Sequence, residues 1–409
     1  MKAELASQST SGAPATDRQN ADVTAWIAVA AGALGAMLAT LDISIVNSAL
    51  PVIQGEIGAS GTEGTWIATA FLVAEIVVIP LSAWLERLFG LRNLLIIAVS
   101  AFTGFSILCG VATDLTTMII GRTGQGFMGG ALIPTAMTIV AKRLPPHQQP
   151  IGMALFGMTV ILGPVMGPLI GGWLTENLSW HYAFFVNVPV CGLLLLFLFV
   201  GLPHEEPNWE YLTEADWAGI LGLILGLGAL TVLLEEGHRE EWFESSFIRW
   251  LTLIAVIGFS SLIYGQMNAP KPVLKLRLLL DRQFGSVAVM ALALGMVMYG
   301  STYVIPQFLA IISDYNAFQT GLVIFWMGIP AFLLMPVLPF MIRRIHIRIA
   351  VGAGMLLMAI SCFVSISLTA QSGGAVFTEG QPIRGVGMIL SMTFLNQATV
   401  ASVAKADAG

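Results

Sequence analysis

The chain has 409 residues, of which 56% are hydrophobic and only 10% are charged, and its formal net charge is -6. A soluble domain carries roughly 25% charged residues, and the mean hydropathy of this chain is +0.83, so the composition excludes an ordinary soluble protein. The three cysteines fall in apolar segments, which excludes a disulfide framework.

Apolar runs recur along the chain, and each is long enough to cross a hydrocarbon core of ~30 Å. We predict twelve spans, at 24-49, 65-85, 92-112, 115-140, 151-173, 181-202, 217-236, 248-267, 286-311, 318-341, 347-369 and 383-404. The sequence therefore predicts an all-α polytopic membrane protein. A polar stretch at residues 1-22 precedes the spans and is predicted to be a disordered cytoplasmic N-terminus without a signal peptide.

The predicted spans fall into two groups. Residues 23-203 are predicted to form an N-terminal six-helix bundle, residues 204-270 a linker with an inserted two-helix hairpin, and residues 271-409 an incomplete C-terminal bundle. A basic turn follows span 2 and another follows span 10, and such internal correspondence is typical of secondary transporters.

Basic residues predict the orientation, because Lys and Arg accumulate on the cytoplasmic side. With the N-terminus inside, fourteen of them fall in inner segments and three, Arg239, Arg249 and Arg384, fall in outer segments. We therefore expect a multi-pass protein of the cytoplasmic (inner) membrane, with both ends of the chain in the cytoplasm.

Three ionisable residues lie inside predicted spans, namely Asp42 in span 1, Glu75 in span 2 and Arg122 in span 4. Charged groups inside a membrane are costly and mark functional sites by default. Two acids and one base at a similar depth suit proton coupling, since a nearby arginine and desolvation act in opposite directions on a carboxyl group. A static ion pair that only joins two helices is the alternative, and both interpretations stay open.

The fifth span carries a face of small residues. Gly163, Gly167 and Gly171 recur at every fourth position, Gly172 widens the face, and Pro164 lies between them. Small faces let a second helix approach closely in membranes, and a bent helix of this kind suits the place where two bundles rock against each other. A plain helix-packing face is the alternative.

Three stretches resemble motifs of one family. The run GPVMGPLIGG, followed by SWHYAFFVNVP, resembles the antiporter motif of major facilitator drug exporters. The run LDISIVNSALP, with Asp42 and Asn47, resembles the helix 1 motif of the fourteen-span drug:proton antiporters, the EmrB/QacA group. The run GRTGQGFMGG, with Arg122 and Gln125, is similar to their helix 4 motif.

The resemblance implies a major facilitator bundle in which Asp42 and Arg122 take part in proton transfer and Glu75 assists. Members of the group have two further helices, so we expect this chain to be truncated at its C-terminus. Their cytoplasmic loop motif is poorly kept, since Arg87 stands where the family has an aspartate. Polar residues of a possible cavity are Asn47, Gln125, Gln307 and Asn396.

The expected function is multidrug efflux, in which amphipathic or lipophilic compounds leave in exchange for protons. Beyond protons, substrates and lipid, the resemblance allows for a periplasmic adaptor protein and an outer-membrane channel as partners. The sequence has no P-loop, no metal-ligand spacing and no nucleic-acid signature, so we expect no ATP, no cofactor, no metal and no nucleic acid. A metabolite exporter or symporter on the same scaffold, or a non-transporting fragment, remains an alternative. A membrane enzyme or channel would need a polar catalytic cluster or a polar pore-lining helix, and the sequence has neither.

Overall fold

The computed structural model describes residues 20–366, 368–369 and 372–406, and within these ranges it contains helices and no strands. The α-helices are α1 Val23–Ile57, α2 Gly61–Gly64, α3 Trp66–Phe89, α4 Leu91–Gly110, α5 Leu115–Gly129, α6 Leu132–Arg143, α7 Gln149–Asn177, α8 Tyr182–Phe185, α9 Asn187–Gly201, α10 Glu210–Thr213, α11 Trp217–Glu236, α12 Ser246–Asn268, α13 Arg282–Ile312, α14 Ala317–Leu334, α15 Leu338–Arg344, α16 Ile347–Val364 and α17 Ala375–Ala406. Short 3-10 turns lie at Trp242–Glu244, Leu276–Leu280 and Met335–Val337. Most of the predicted disordered N-terminus, residues 1–19, lies outside the described residues.

Ten helical segments of the described chain are long and apolar enough to cross a membrane, which confirms the multi-pass membrane protein. The other two predicted spans coincide with the pair α5–α6 and with α17. The first is interrupted between Gly129 and Leu132, and the second carries Glu379 and Arg384 within its length. The count of twelve spans stays a prediction.

Several helices begin at an aspartate that accepts a hydrogen bond from the first turn. Asp22 accepts from the Ala25 amide at 2.8 Å, and Asp216 accepts from the Gly219 amide at 2.8 Å. Asp114 accepts from the Thr117 amide at 2.9 Å, and this hydrogen bond holds the pKa of the Asp114 carboxyl below its usual value of 3.8. These caps satisfy amides that have no partner inside the helix.

Glycines of α5 bring α3 and α5 into backbone contact. A Cβ atom placed on Gly126 would lie 2.2 Å from the carbonyl oxygen of Phe71, and one on Gly130 would lie 2.8 Å from the carbonyl oxygen of Glu75. Since only glycine allows this approach, the run GQGFMGG positions α3 directly against the helix that carries Arg122.

The helices α11 and α12 form an antiparallel pair between the N-terminal and C-terminal helices. Their backbones meet at glycines, because a Cβ atom on Gly222 would lie 2.4 Å from the Leu262 nitrogen and one on Gly258 would lie 2.3 Å from the Gly226 nitrogen. The pair packs on α3, where Val77 joins a buried cluster with residues of α11 and α12. The division into the predicted domains 23-203, 204-270 and 271-409 stays a prediction.

Helix α7 contacts both groups of helices. It packs most extensively against α1 on one side and α14 on the other. The core of the C-terminal helices consists of buried residues of α13, α14, α15, α16 and α17, and it includes Ala154 and Val165 of α7. The fifth predicted span therefore lies where the two groups meet.

One predicted location is wrong. The sequence pattern places Arg384 in an outer segment and the start of span 12 at 383, but α17 begins at Ala375. Arg384 lies inside the helix, and only 5% of the residue is exposed. Thr378 and Glu379 lie in the first turns of α17 and lower the local hydropathy, so hydropathy alone predicts a later start of the helix.

Candidate functional site

A buried ion pair joins α1 to α5. Nη1 of Arg122 lies 2.6 Å from Oδ2 of Asp42, and the side chains are 1% and 0% exposed, respectively. Removing two charges from water costs several kcal/mol per ion, and close contact with further hydrogen bonds is needed to offset that cost. The surroundings of Asp42 supply those hydrogen bonds.

Amide side chains complete the surroundings of the carboxylate. Asn187 of α9 donates to Oδ1 of Asp42 at 2.6 Å, and Gln125 of α5 donates to the same oxygen at 3.3 Å. Both amides also donate to the hydroxyl of Ser106 in α4, at 3.3 and 2.8 Å. A single hydrogen-bond network thus joins Asp42 of α1 to the three helices α4, α5 and α9.

Arg122 is held on its other sides by α3. Nε donates to the carbonyl oxygen of Ile67 at 3.1 Å, and Nη1 also donates to Oε1 of Gln125 at 3.1 Å. The guanidinium carbon lies 4.2 Å from the centre of the Phe71 ring, which is within the range of a cation–π interaction. The guanidinium is therefore fixed by a carboxylate, two oxygens and an aromatic face.

The network has one acceptor without a donor. The side-chain oxygen of Asn187 is buried and has no hydrogen-bond partner among the described residues. An unsatisfied buried acceptor costs about 1 to 3 kcal/mol. Oδ1 of Asn187 therefore has the capacity to accept one further hydrogen bond.

Glu75 lies apart from this network. Only 6% of the residue is exposed, and among the described residues its carboxyl forms no hydrogen bond or ion pair. Its backbone lies against Gly130, at the junction of α5 and α6. The two predicted acids are therefore in different surroundings, one bonded and one without a partner.

Of the predicted cavity residues, only Gln125 joins the ion-pair network. Asn47 and Gln307 are exposed side chains on α1 and α13, and Asn396 is half-buried on α17. The sequence interpretation missed Asn187, Ser106 and Phe71. Asn187 was within reach, because it is a polar residue at the start of an apolar span in the run VNVP.

The glycines of α7 face α1. A Cβ atom on Gly163 would lie 2.0 Å from Oγ1 of Thr40, and one on Gly167 would lie 2.2 Å from Cβ of Ser44. Farther along the helix, a Cβ atom on Gly171 would lie 2.3 Å from Oγ of Ser48. The glycine face thus lies on consecutive turns of the helix that carries Asp42.

The opposite face of α7 meets α14. At this contact the glycines belong to the partner helix α14. A Cβ atom on Gly321 would lie 2.9 Å from the nitrogen of Leu169, and one on Gly328 would lie 2.9 Å from Val165. Pro164 is half-buried and Gly172 is buried. The predicted small-residue face therefore packs inside the N-terminal helices, and the contact with the C-terminal helices uses glycines of α14.

An apolar cavity of about 480 Å³ lies between α1, α7 and α14. It is lined by Met37, Leu41, Leu162, Val165, Met166, Ile170, Phe325, Gly328, Ile329, Phe332 and Leu333. None of the four predicted cavity residues lines it. Leu41 faces the cavity while its neighbour Asp42 faces α5 and α9, so α1 carries the cavity wall and the ion pair on different faces.

Known proteins are similar to this chain in sequence and in fold. Residues 32–409 match the model of the Major Facilitator Superfamily. The colistin resistance protein EmrB of Acinetobacter baumannii is 32% identical over 380 residues, which cover 93% of this chain and 74% of that protein. The multidrug export protein EmrB of Escherichia coli K12 is 32% identical over 341 residues, which cover 83% of this chain and 66% of that protein.

A solved structure supports the fold independently. The proton:xylose symporter XylE superposes with a TM-score of 0.62 at 15% identity, over 92% of this chain and 82% of XylE. At this identity the likeness concerns the fold alone. The family match and the sequence relatives show that the chain belongs to the Major Facilitator Superfamily, within the group of multidrug export proteins that includes EmrB.

Proposed function

We propose that the protein exports amphipathic or lipophilic compounds in exchange for protons, and that Asp42 carries the exchanged proton. The observation that supports this role is the fully buried Asp42 carboxyl group, held at 2.6 Å by Arg122 and bonded by two amides. Protonating Asp42 removes the negative charge that Arg122 neutralises. The contact of α1 with α5 and α9 then weakens, and α1 becomes free to shift relative to both of them.

The path from Asp42 to the rest of the molecule runs along α1. This helix presents Asp42 to the network, Ser44 to the glycine face of α7 and Leu41 to the apolar cavity. A displacement of α1 on protonation would therefore change both the packing of α7 against α1 and the wall of the cavity. Gly163, Pro164, Gly167, Gly171 and Gly172 are proposed to allow α7 to follow α1 without losing close contact.

The cavity suits the apolar part of a transported compound. Its lining consists of aliphatic, methionine and phenylalanine side chains, and methionine adapts to varied shapes. Helices from both halves contribute to it, as expected for a site that opens alternately to the two sides. The E. coli relative is named a multidrug export protein, and we propose the same substrate class here.

Glu75 is proposed as an accessory proton site. Only 6% of the residue is exposed, and its carboxyl group forms no ion pair among the described residues, so we propose that this group gains and loses a proton during the transport cycle. In the proposed orientation both ends of the chain are cytoplasmic and the protein lies in the inner membrane. A periplasmic adaptor protein and an outer-membrane channel are proposed as partners on the opposite side.

Reconstitution into liposomes that contain a pH-sensitive dye tests the function. Adding a lipophilic cation to vesicles with an imposed pH gradient is expected to move protons in the direction opposite to the cation. A protonophore serves as the control, because it collapses the gradient without the protein. Proton movement in the same direction as the compound would favour the symporter alternative, and compound movement without protons would contradict the coupling.

A further inference from the structure

A second buried arginine lies among the C-terminal helices. Arg384 lies nine residues after Ala375, the first residue of α17, which places it roughly 14 Å into the helix at 1.5 Å per residue. Only 5% of the residue is exposed. An arginine keeps its positive charge in proteins, so this position holds a permanent buried cation.

The contacts of Arg384 include no carboxylate among the described residues. Nε donates to Oγ of Ser361 in α16 at 3.3 Å, and the Cys362 thiol lies beside the guanidinium. The hydroxyl of Ser361 itself donates to the Met358 carbonyl oxygen at 2.8 Å. A guanidinium has five N–H donors, and Ser361 takes one of them.

The acidic residues that the structure describes in the same half lie elsewhere. Asp281 caps the start of α13, where it accepts from two backbone amides. Asp314 lies in the loop before α14, and Glu379 is exposed near the start of α17. None of the three forms an ion pair with Arg384. Arg122 in the N-terminal half, by contrast, has a carboxylate at 2.6 Å.

A second polar group beside Arg384 also lacks a partner. Gln381 precedes Arg384 by three positions in α17, so the two side chains share a face of the helix. Gln381 is 2% exposed, and its side-chain oxygen has no hydrogen-bond partner among the described residues. By rotation, the amide can present either its oxygen or its NH2 group on the helix face that it shares with Arg384.

We propose that Arg384, held in place by Ser361, forms with Gln381 a binding site for one monovalent anionic group such as a carboxylate. An isolated buried charge is costly, and in membrane proteins such charges are paired. The described residues supply the cation and an unpartnered amide, while the Ser361 hydroxyl holds the guanidinium in position, and they leave the anion to a ligand. The anion is either the acidic group of a transported lipophilic acid or a free anion such as chloride. The first source rests on the proposed export function, whereas the site itself does not.

Binding to the purified full chain in nanodiscs tests the site. The probes are decanoate, its methyl ester, decyltrimethylammonium and chloride, and the variants are Arg384→Gln, Arg384→Lys and, as a matched control, the exposed Arg249→Gln. Arg384→Gln is expected to weaken decanoate binding by about tenfold or more, because a hydrogen bond to a charged group contributes that much. Arg384→Lys should retain part of the affinity, and Arg249→Gln should retain all of it.

The outcomes distinguish a lipophilic acid from a free anion as the ligand, and they test the anion site separately from the export function. Chloride that displaces decanoate from the unaltered protein identifies a free-anion site, and tight decanoate binding that resists chloride identifies a substrate site. Decanoate binding that depends on Arg384 without any proton movement in liposomes leaves the site standing and removes the export function. Equal binding of acid and ester by the unaltered protein would overturn the site, even if Arg384→Gln does not fold. Equal decanoate affinity with and without Arg384 would overturn it as well.

Discussion

Asp42 and Arg122 meet at 2.6 Å across α1 and α5, and neither side chain has contact with solvent. Asn187 and Gln125 bond the carboxylate from two further directions. An ion pair with these additional hydrogen bonds has two roles that can be separated by experiment. It joins helices as long as both charges are present, and it responds to a proton because protonation removes one of the charges.

The joining role predicts a non-additive pair of substitutions. Arg122→Gln leaves Asp42 buried without its counter-ion and is expected to destabilise the protein by about 3 to 5 kcal/mol. The double variant Asp42→Asn with Arg122→Gln removes both charges and should recover most of that loss. Thermal unfolding of both variants in nanodiscs measures the difference. A double variant as unstable as Arg122→Gln would show that the charges are not coupled.

Asn187 is uncharged, but its hydrogen bond to Asp42 predicts that replacing it lowers the stability of the protein. Asn187→Ala removes the 2.6 Å hydrogen bond to Asp42, and losing a bond to a charged group is expected to cost about 1.5 to 3 kcal/mol. The matched control is Asn177→Ala, because Asn177 is exposed and its amide bonds the Trp173 carbonyl oxygen of its own helix. Unfolding midpoints that fall equally in the two variants would mean that Asn187 does not support the ion pair.

The glycine face of α7 predicts an overpacking effect. In Gly167→Ala the new methyl group would lie 2.2 Å from Cβ of Ser44, so α1 and α7 must separate, at an expected cost of about 1 to 3 kcal/mol. In Gly192→Ala of α9 the new methyl group has no atom within 4 Å, and that variant should unfold at or above the original temperature. The transport rate of Gly167→Ala should fall by more than the loss of folded protein accounts for, because the packing of α7 against α1 is altered. Unchanged transport and stability would contradict the close contact.

Asp114 predicts a pH dependence outside the membrane. Its carboxyl group caps α5 through the Thr117 amide, and this bond lowers its pKa from 3.8. A group with a lowered pKa in the folded state stabilises above its unfolded value and loses that effect as the pH falls through the folded value. Asp114→Ala should therefore lower the unfolding temperature at pH 7, and the difference from the unaltered protein should shrink below about pH 4. A difference that is constant with pH would assign the effect to something other than the charge.

Most of the helices followed from hydropathy alone, because a span must be apolar for about 20 residues. The exceptions have physical causes. The segment at 115-140 is broken into α5 and α6 near Gly130, which lies against the backbone of α3. Hydropathy does not predict the start of α17, because the charged residues Glu379 and Arg384 lie inside the helix. In the sequence, a buried arginine near one end of an apolar run looks the same as an arginine in a loop.

The site was only partly within reach of sequence reasoning. Asp42 and Arg122 are conspicuous because charges are rare in spans, and the structure brings them together. The sequence could not show that Glu75 lies outside the network, because depth along a helix does not fix which neighbour a side chain meets. It also placed the glycines of α7 at the contact between the bundles, where the structure has glycines of α14 instead.

The central claim is that Asp42 carries the exchanged proton, and proton movement driven by a lipophilic cation in liposomes tests it most directly. Asp42→Asn preserves the shape of the side chain and can still bond Asn187 and Gln125, but it leaves Arg122 without its counter-ion. Binding of the cation by the variant is therefore measured first, to show that the variant is folded. The account predicts a folded protein that binds the cation but moves no protons in response to it. Proton movement by Asp42→Asn equal to that of the unaltered protein would contradict the account.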